Sequence, residues 1–215
     1  MTGRTRIKIC GIGTLAAARA AVDAGADALG FVFAEGSPRL VDPGKAAMIV
    51  GKLPAFVEPV GLFVNTPVDQ IAAIAEQARV TTIQLHGDEG PDAALQLSRR
   101  FRVIKALPHD MKLLDRWRGI SHCVALLIDA PRVDGELTGG TGRSHDYAAI
   151  GAMDRTGLPP VILAGGLTPE NVADAIAAAK PYAVDVSSGV EFPDRPGEKD
   201  IERIAAFCNA ALATE

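Results

Sequence analysis

Short apolar runs alternate with Ala-rich amphipathic stretches along the whole chain. Eight runs are rich in Val, Ile, Leu and Phe and have the length of buried strands. They are RIKI from Arg6, ALGFVF from Ala28, EPVGLFV from Glu58, TTIQL from Thr81, RVIKAL from Arg102, VALLI from Val124, PVILA from Pro160 and YAVDVS from Tyr182. A Gly, Pro, Asn or Asp break and a helical stretch follow the runs. The pattern predicts eight βα units.

The segments between the runs have apolar residues at three- and four-residue spacing, which is typical of amphipathic helices. Such segments begin at Thr14, Thr66 and Thr168. Two of them open with a Thr-Pro pair, Thr66-Pro67 and Thr168-Pro169. We expect each threonine at the N-cap and each proline at the first helical position.

Strands that are apolar on both faces and separated by helices indicate a parallel sheet, either an open doubly wound sheet or a closed barrel. Eight regular units favour closure. We therefore predict a single-domain (β/α)8 barrel over residues 1–215. The widest gap, the glycine-rich stretch from Pro131 to Ser144, is interpreted as a functional loop after the sixth strand.

Composition narrows the class of partner. The formal net charge is -4 and the chain has no run of Lys or Arg, which argues against nucleic acid and anionic membranes. The polar start lacks the apolar middle of a secretory signal, and no run reaches the roughly 18 apolar residues of a membrane helix. The three cysteines lack CxxC spacing, which argues against disulfides and a zinc cluster. We expect a cytoplasmic protein with a small-molecule partner and no bound metal.

The active site of a β/α barrel forms where the strands end, so polar residues at those positions are the candidates. They are Cys10, Asn65, Gln84, His86, Lys105, Asp129, Asp185, Ser187 and Ser188. Cys10 could transfer protons from the end of the first strand, or it could be a small buried hydrophobe. Asp129 could be a general acid whose pKa is raised at the edge of a dry interior, or it could cap a turn through Ala130-Pro131.

Glycine-bearing segments follow three neighbouring strands and suggest a phosphate site. They are Gly139-Gly140-Thr141-Gly142, Ala164-Gly165-Gly166 and Ser187-Ser188-Gly189. In β/α barrels, phosphate is commonly bound by the loops after strands seven and eight, where backbone N–H groups can approach an anion. A single glycine pair is more often only a tight turn, but two in adjacent loops favour a phosphorylated ligand.

Two further side chains could face the same opening. Arg39, in Gly36-Ser37-Pro38-Arg39 after the second strand, could form a bidentate pair with a second carboxylate of the ligand, or it could be a solvated surface residue. His86 could line the site, although a histidine at a strand end is more often a structural hydrogen-bonding group. We predict a lining role for His86.

The chain resembles the phosphoribosylanthranilate isomerase family over nearly its whole length. The motifs that carry the resemblance are KICGI from Lys8, GADALGFVF from Gly25, SPR from Ser37, VGLFVN from Val60, IQLHG from Ile83, LLIDA from Leu126, GGTG from Gly139, LAGGLTPENV from Leu163 and VDVSSGVE from Val184. The resemblance implies an Amadori rearrangement without metal or cofactor. It further implies Cys10 as general base, Asp129 as general acid and Arg39 as the ligand of the anthranilate carboxylate.

The same resemblance places the phosphate near Gly166, Ser187 and Ser188, and Asp185 near the sugar or the bridging amine. Two segments depart from the family pattern. Gly13-Thr14 stands where Thr or Asn usually follows the isoleucine directly, and Ser144-His145-Asp146-Tyr147 stands where Phe-Asp-Trp is more usual. We expect the first departure to affect the loop after Cys10.

Three alternatives stay open at this stage. A pentulose-phosphate epimerase would need metal ligands at the barrel mouth, where His86 alone is suitably placed. A sibling isomerase acting on a histidine-pathway intermediate would use two aspartates, against which Cys10 argues. A barrel that binds a phosphosugar without catalysis is the third, because fold alone does not establish function. We expect a monomer rather than a homodimer.

Overall fold

The computed structural model describes residues 3–129 and 147–214, and these residues form a closed parallel barrel. The strands are β1 (Arg6–Cys10), β2 (Ala28–Val32), β3 (Glu58–Phe63), β4 (Thr82–Leu85), β5 (Arg102–Pro108), β6 (Ala125–Asp129), β7 (Val161–Leu163) and β8 (Ala183–Val186). Each strand pairs with the next one in sequence, and β8 pairs with β1. The predicted (β/α)8 barrel is confirmed.

A helix follows each strand and covers the outside of the barrel. The helices are α1 (Leu15–Asp23), α2 (Pro43–Val50), α3 (Val68–Ala78), α4 (Pro91–Ser98), α5 (Met111–Asp115), α6 (Tyr147–Ala152), α7 (Val172–Ala179) and α8 (Ile201–Leu212). A short 3-10 helix, Ser188–Val190, lies between β8 and α8. No helix among these described residues is long and apolar enough to cross a membrane.

The predicted N-cap of α3 is wrong. The hydroxyl of Thr66 turns back and donates a hydrogen bond to the carbonyl of Val64 at 3.3 Å. Pro67 then takes the N-cap position, without a side-chain cap. The threonine hydroxyl therefore closes the preceding turn, because a hydroxyl can hydrogen-bond to nearby backbone as well as to a helix N–H.

The predicted start of α7 is also wrong. Asn171, and not Thr168, occupies the N-cap. The Asn171 side chain accepts a hydrogen bond from the backbone N–H of Thr168 at 2.8 Å and donates one to the carbonyl of Gly166 at 2.9 Å. These bonds close a turn that contains Pro169, so α7 begins three residues after the proline.

Alternation along the strands separates two layers of core. On β1, Ile7 and Ile9 point outward and join the large apolar cluster beneath the helices. Lys8 and Cys10 point the other way, into the barrel. A smaller cluster fills the interior and consists of Val60, Ile104, Ala106, Ala125, Leu127, Ile162, Ala164 and Ala183. The interior of the barrel is therefore packed with side chains along these strands.

Candidate active site

A pocket opens at the end of the barrel where the strands finish. It contains about 700 Å³ of space, part of it open to solvent. Nine residues predicted for the site line it, namely Cys10, Arg39, His86, Asp129, Gly165, Gly166, Asp185, Ser187 and Ser188. The tenth, Gly142, lies outside the described residues, as does the rest of the GGTG segment. The roles of these residues stay predictions.

The two sides of the pocket differ in chemistry. Apolar side chains from the ends of β2 and β3 form one wall, namely Val32, Ala34, Leu62 and Val64. Arg39 lies beside this wall, whereas the opposite side consists of the glycine and serine loops after β7 and β8. An aromatic ring with a negative substituent fits the first side, and a phosphate fits the second.

Cys10 is the last residue of β1 and lies in the floor of the pocket, where it also packs against Val32 and Leu62. Burial raises the pKa of its thiol. The Lys8 ammonium works against that rise, the Asp185 carboxylate adds to it, and the Lys199 ammonium again works against it. Cys10 can therefore act as a base only to the extent that nearby positive charge stabilises its thiolate.

Asp129 is the last residue of β6 and belongs to a hydrogen-bonded chain of three side chains. Its Oδ2 lies 3.0 Å from Nε2 of His86, and Nδ1 of His86 lies 2.9 Å from Nε2 of Gln84. The ring of His86 therefore bridges Gln84 and Asp129 and fixes the orientation of the Asp129 carboxyl group.

Arg39 is already engaged by a carboxylate of the protein itself. Its Nε and Nη2 donate to the two carboxylate oxygens of Glu191 at 2.7 and 2.8 Å. The bidentate edge that we predicted for a ligand carboxylate is therefore occupied. A ligand can use the other edge, formed by Nη1 and the second N–H of Nη2. The alternative of a solvated surface arginine is wrong, because the side chain is only 9% exposed.

Glu191 joins Arg39 to the loop after β8. Lys199 donates to a carboxylate oxygen of Glu191 at 2.8 Å and to the backbone carbonyl of Ser187 at 2.9 Å. The backbone N–H of Gly197 donates to Glu191 as well, at 3.1 Å. Although burial would raise the pKa of Glu191, Arg39 and Lys199 outweigh it and lower that pKa. The carboxylate is therefore ionised at neutral pH and holds both cations.

The loops after β7 and β8 have the backbone needed for close approach of an anion. Gly165 and Gly166 have φ values of 86° and 63°, a conformation that residues with a side chain rarely adopt. Gly189 packs so tightly on the carbonyl of Leu167 that a Cβ atom there would overlap it. The 3-10 helix after β8 is therefore fixed against the loop after β7.

Besides Gln84, which is hydrogen-bonded to His86, two polar residues predicted at strand ends do not line the pocket. Asn65 lies over the loop after β4, where its Oδ1 accepts a hydrogen bond from the backbone N–H of Asp88 at 2.7 Å. Lys105 points out of the barrel and donates to the carbonyl of Gly87 at 2.6 Å and to the carboxylate of Glu89 at 2.9 Å. The two residues hold the loop that follows His86.

The first departure from the family pattern, Gly13-Thr14, lies at the start of α1. The Thr14 hydroxyl accepts a hydrogen bond from the backbone N–H of Ala17 at 3.2 Å and so caps α1. The loop after Cys10 therefore ends in a normal capped helix. Tyr147 is the first residue of α6, and the rest of the second departing segment lies outside the described residues.

Lys8, Glu191 and Lys199 are the residues at the site that sequence reasoning missed. A signal existed for Lys8, because it stands two residues before Cys10 and therefore on the same face of the strand. Glu191 ends the VDVSSGVE motif, but nothing in the pattern indicates its partner. No pattern marks Lys199, which reaches the site from the segment before α8.

The described residues give no ligand set for a metal. Within residues 3–129 and 147–214, no group of three or more His, Cys, Asp and Glu side chains is arranged to hold a metal ion. His86, the candidate for such a role, is instead hydrogen-bonded to Gln84 and Asp129.

Comparison with known proteins gives one consistent result. Residues 7–210 match the family model described as N-(5'phosphoribosyl)anthranilate (PRA) isomerase. The N-(5'-phosphoribosyl)anthranilate isomerase of Geobacter metallireducens is 46% identical over 212 residues, which is 97% of this chain and 99% of the relative. The phosphoribosyl anthranilate isomerase of Thermus thermophilus is 38% identical, with a TM-score of 0.86 over 98% of this chain and 100% of that structure.

A third similar protein has been solved with a ligand. It is a phosphoribosyl anthranilate isomerase in complex with reduced 1-(o-carboxyphenylamino)-1-deoxyribulose 5-phosphate. The two chains are 35% identical, with a TM-score of 0.83 over 97% of this chain and 99% of the other. That ligand carries an aromatic carboxylate at one end and a phosphate at the other.

Proposed function

The chain belongs to the phosphoribosylanthranilate isomerase family, and we propose that it uses Cys10 as general base and Asp129 as general acid. Its activity is the conversion of N-(5'-phosphoribosyl)anthranilate into the carboxyphenylamino-deoxyribulose phosphate, a step of tryptophan biosynthesis. The observation that supports the two roles best is that thiol and carboxyl line one pocket from β1 and β6, well apart around the barrel.

The rearrangement needs one proton donor and one proton acceptor. The Asp129 carboxyl gives a proton to the furanose ring oxygen, the C1–O bond breaks, and the nitrogen lone pair forms the Schiff base. The Cys10 thiolate then removes the C2 proton, and the C–H electron pair forms the enolamine double bond while the iminium charge is neutralised. The enol loses its O–H proton and C1 gains one, which gives the ketose. No atoms are gained or lost overall.

The two ends of the substrate match the two sides of the pocket. We expect the anthranilate ring against Val32 and Leu62, with its carboxylate on the Nη1–Nη2 edge of Arg39. We expect the phosphate at Gly166, Ser187 and Ser188, with Gly165 shaping the turn, and we assign Gly142 to the same end from the sequence. The side chains of Cys10, Asp129 and Asp185 then face the ribose and the bridging amine between those ends.

Substitution of the two reacting groups tests the assignment. We expect Cys10→Ala and Asp129→Asn each to lower kcat/KM by about 10²–10⁴-fold, the usual contribution of a positioned acid or base. The assay is the loss of substrate fluorescence, with circular dichroism to verify folding. Cys208→Ala, which removes a buried thiol of α8 far from the pocket, serves as the control. Near-normal turnover by folded Cys10→Ala would rule out the thiol as the base.

Four further properties are part of the proposal. We propose that the protein is cytoplasmic, since its cysteines are unpaired and buried, and that the reaction needs neither metal nor cofactor. We also propose that the whole chain is one domain and that the molecule is a monomer. Retained activity in chelator tests the second property, and the unfolding experiment described below tests the last two.

A further inference from the structure

Directly beneath Cys10, inside the barrel, lies a lysine that the proposed mechanism does not use. Lys8 and Cys10 are two residues apart on β1, so their side chains point to the same side, and the side chain of Lys8 is 4% exposed. Lys8 is not among the residues that line the pocket. A substrate bound there would touch Cys10 and Asp185 but not the lysine.

The ammonium of Lys8 is held by the neighbouring strand. Lys8 and Asp185 are register partners on β1 and β8, and Nζ lies 2.7 Å from Oδ1 of the carboxylate. Both side chains are buried, at 4% and 8% exposed. A buried ammonium is tolerated where a carboxylate compensates its charge. The position of Nζ is therefore fixed by a bond to a residue 177 positions away in sequence.

On the other neighbouring strand, β2, a glycine leaves the space in which Nζ of Lys8 and Sγ of Cys10 approach each other. Gly30 of β2 is the register partner of Cys10. A Cβ atom on Gly30 would lie 2.8 Å from Sγ of Cys10 and 3.1 Å from Nζ of Lys8. Sγ and Nζ are therefore within about 6 Å of each other, the range in which an opposite charge stabilises an ionised group.

We propose that Lys8 is a positioning residue that stabilises and orients the Cys10 thiolate from beneath the pocket, with Asp185 holding the ammonium in place. The proposal rests on Cys10 as the general base. The Lys8 ammonium is a fixed positive charge that is present before the substrate binds and that the substrate does not contact. Because the charge is preorganised, no rearrangement is needed when the thiol ionises.

The electrostatics of the pair agree with this geometry. Burial alone would lower the pKa of Lys8, but Asp185 and Cys10 outweigh burial and raise it, so the lysine keeps its charge. For Cys10, Lys8 is the largest influence that opposes the effect of burial, ahead of Lys199. The N–H groups of Lys199 are directed to Glu191 and to the carbonyl and hydroxyl of Ser187. Lys8 is therefore the better placed of the two cations.

Alkylation of Cys10 tests the proposal without any need for turnover. The rate of carbamidomethylation by iodoacetamide between pH 7 and 10 follows the thiolate fraction, and peptide mass spectrometry resolves the three cysteines. We expect Lys8→Met to slow the labelling of Cys10 by about tenfold or more at a fixed pH, which corresponds to a rise of about one unit in its pKa. Burial raises the pKa of both Cys123 and Cys208 to about 11, so they provide internal references.

A double variant covers the case in which the single one does not fold. Lys8→Met leaves the carboxylate of Asp185 unpaired, whereas Lys8→Met/Asp185→Asn removes both charges. Because Lys8 influences Cys10 more strongly than Asp185 does, we expect the double variant to label more slowly than wild type and faster than Lys8→Met. Labelling at the wild-type rate by every variant that folds would overturn the proposal.

A second buried lysine, Lys105, serves as a control that distinguishes a specific effect of Lys8 on Cys10 from the loss of any buried positive charge. Lys105 is 1% exposed and paired with Glu89, but it lies outside the barrel. We expect Lys105→Met to leave the labelling rate of Cys10 unchanged, and an equal slowing would overturn the proposal. If Cys10→Ala kept its activity, Cys10 would not be the general base. The labelling experiment would still show whether Lys8 stabilises the Cys10 thiolate.

Discussion

At the scale of single residues, hydrogen bonds between side chains of the protein itself determine which donors and acceptors a substrate can use. Their positions at the ends of apolar runs were enough to place Cys10 and Asp129 at the barrel mouth. The bond between Arg39 and Glu191 could not be predicted, because the partners are 152 residues apart and neither strand pattern nor composition links them. The pair matters because it decides which edge of the guanidinium a substrate can use.

Removal of the negative charge of Glu191 tests how Arg39 is held. In Glu191→Gln the common partner of Arg39 and Lys199 loses its negative charge and one of its two acceptor oxygens, so we expect KM to rise about tenfold with a smaller change in kcat, because the residue acts on binding. Steady-state kinetics on protein shown to be folded by thermal melting is the measurement. Glu198→Gln, which affects an exposed pair with Arg195, is the matched control. An unchanged KM would contradict this role of Glu191.

At the scale of elements, the sequence predicts strands better than helix ends. Each predicted run overlaps its observed strand because burial selects the same Val, Ile and Leu residues that the pattern shows. The predicted starts of α3 and α7 were wrong because the side chains of Thr66 and Asn171 can hydrogen-bond to several nearby backbone groups. Such choices depend on loop geometry and not on residue type alone.

The contact between the loops after β7 and β8 gives a prediction for an element. A Cβ at Gly189 would overlap the carbonyl of Leu167, so we expect Gly189→Ala to push the two loops apart and weaken competitive inhibition by inorganic phosphate by about tenfold or more. Gly90→Ala is the control, because nothing lies within 4 Å of a Cβ there and its φ is -88°. If Gly189→Ala kept the wild-type inhibition constant, the loops would not bind phosphate as proposed.

At the scale of the whole molecule, closure of the barrel is what brings the site together. Eight βα units predicted the closed sheet, and the order β1 to β8 with β8 against β1 confirms it. Pairs such as Lys8 and Asp185 exist only because the first and last strands meet, and their register could not be obtained from either strand alone. The first and last strands therefore contribute both to folding and to the pocket.

Unfolding should reflect this closed architecture. We expect one cooperative thermal transition for the chain, because the pairing of β8 with β1 makes every strand depend on its neighbours. For a monomer, the midpoint is independent of protein concentration, whereas for an associating protein it rises with concentration. Calorimetry over a hundredfold range of concentration gives both answers. Two separate transitions would contradict the single domain, and a concentration-dependent midpoint would contradict the monomer.

The most direct test of the account is turnover by the purified protein. N-(5'-phosphoribosyl)anthranilate is fluorescent, and its loss is followed with catalytic amounts of protein in the presence of a chelator, with Cys10→Ala alongside. We predict many turnovers per wild-type molecule, formation of the ketose product, no effect of the chelator, and loss of turnover in the variant. Absence of turnover by folded wild type, under conditions in which the labile substrate survives, would contradict the central claim.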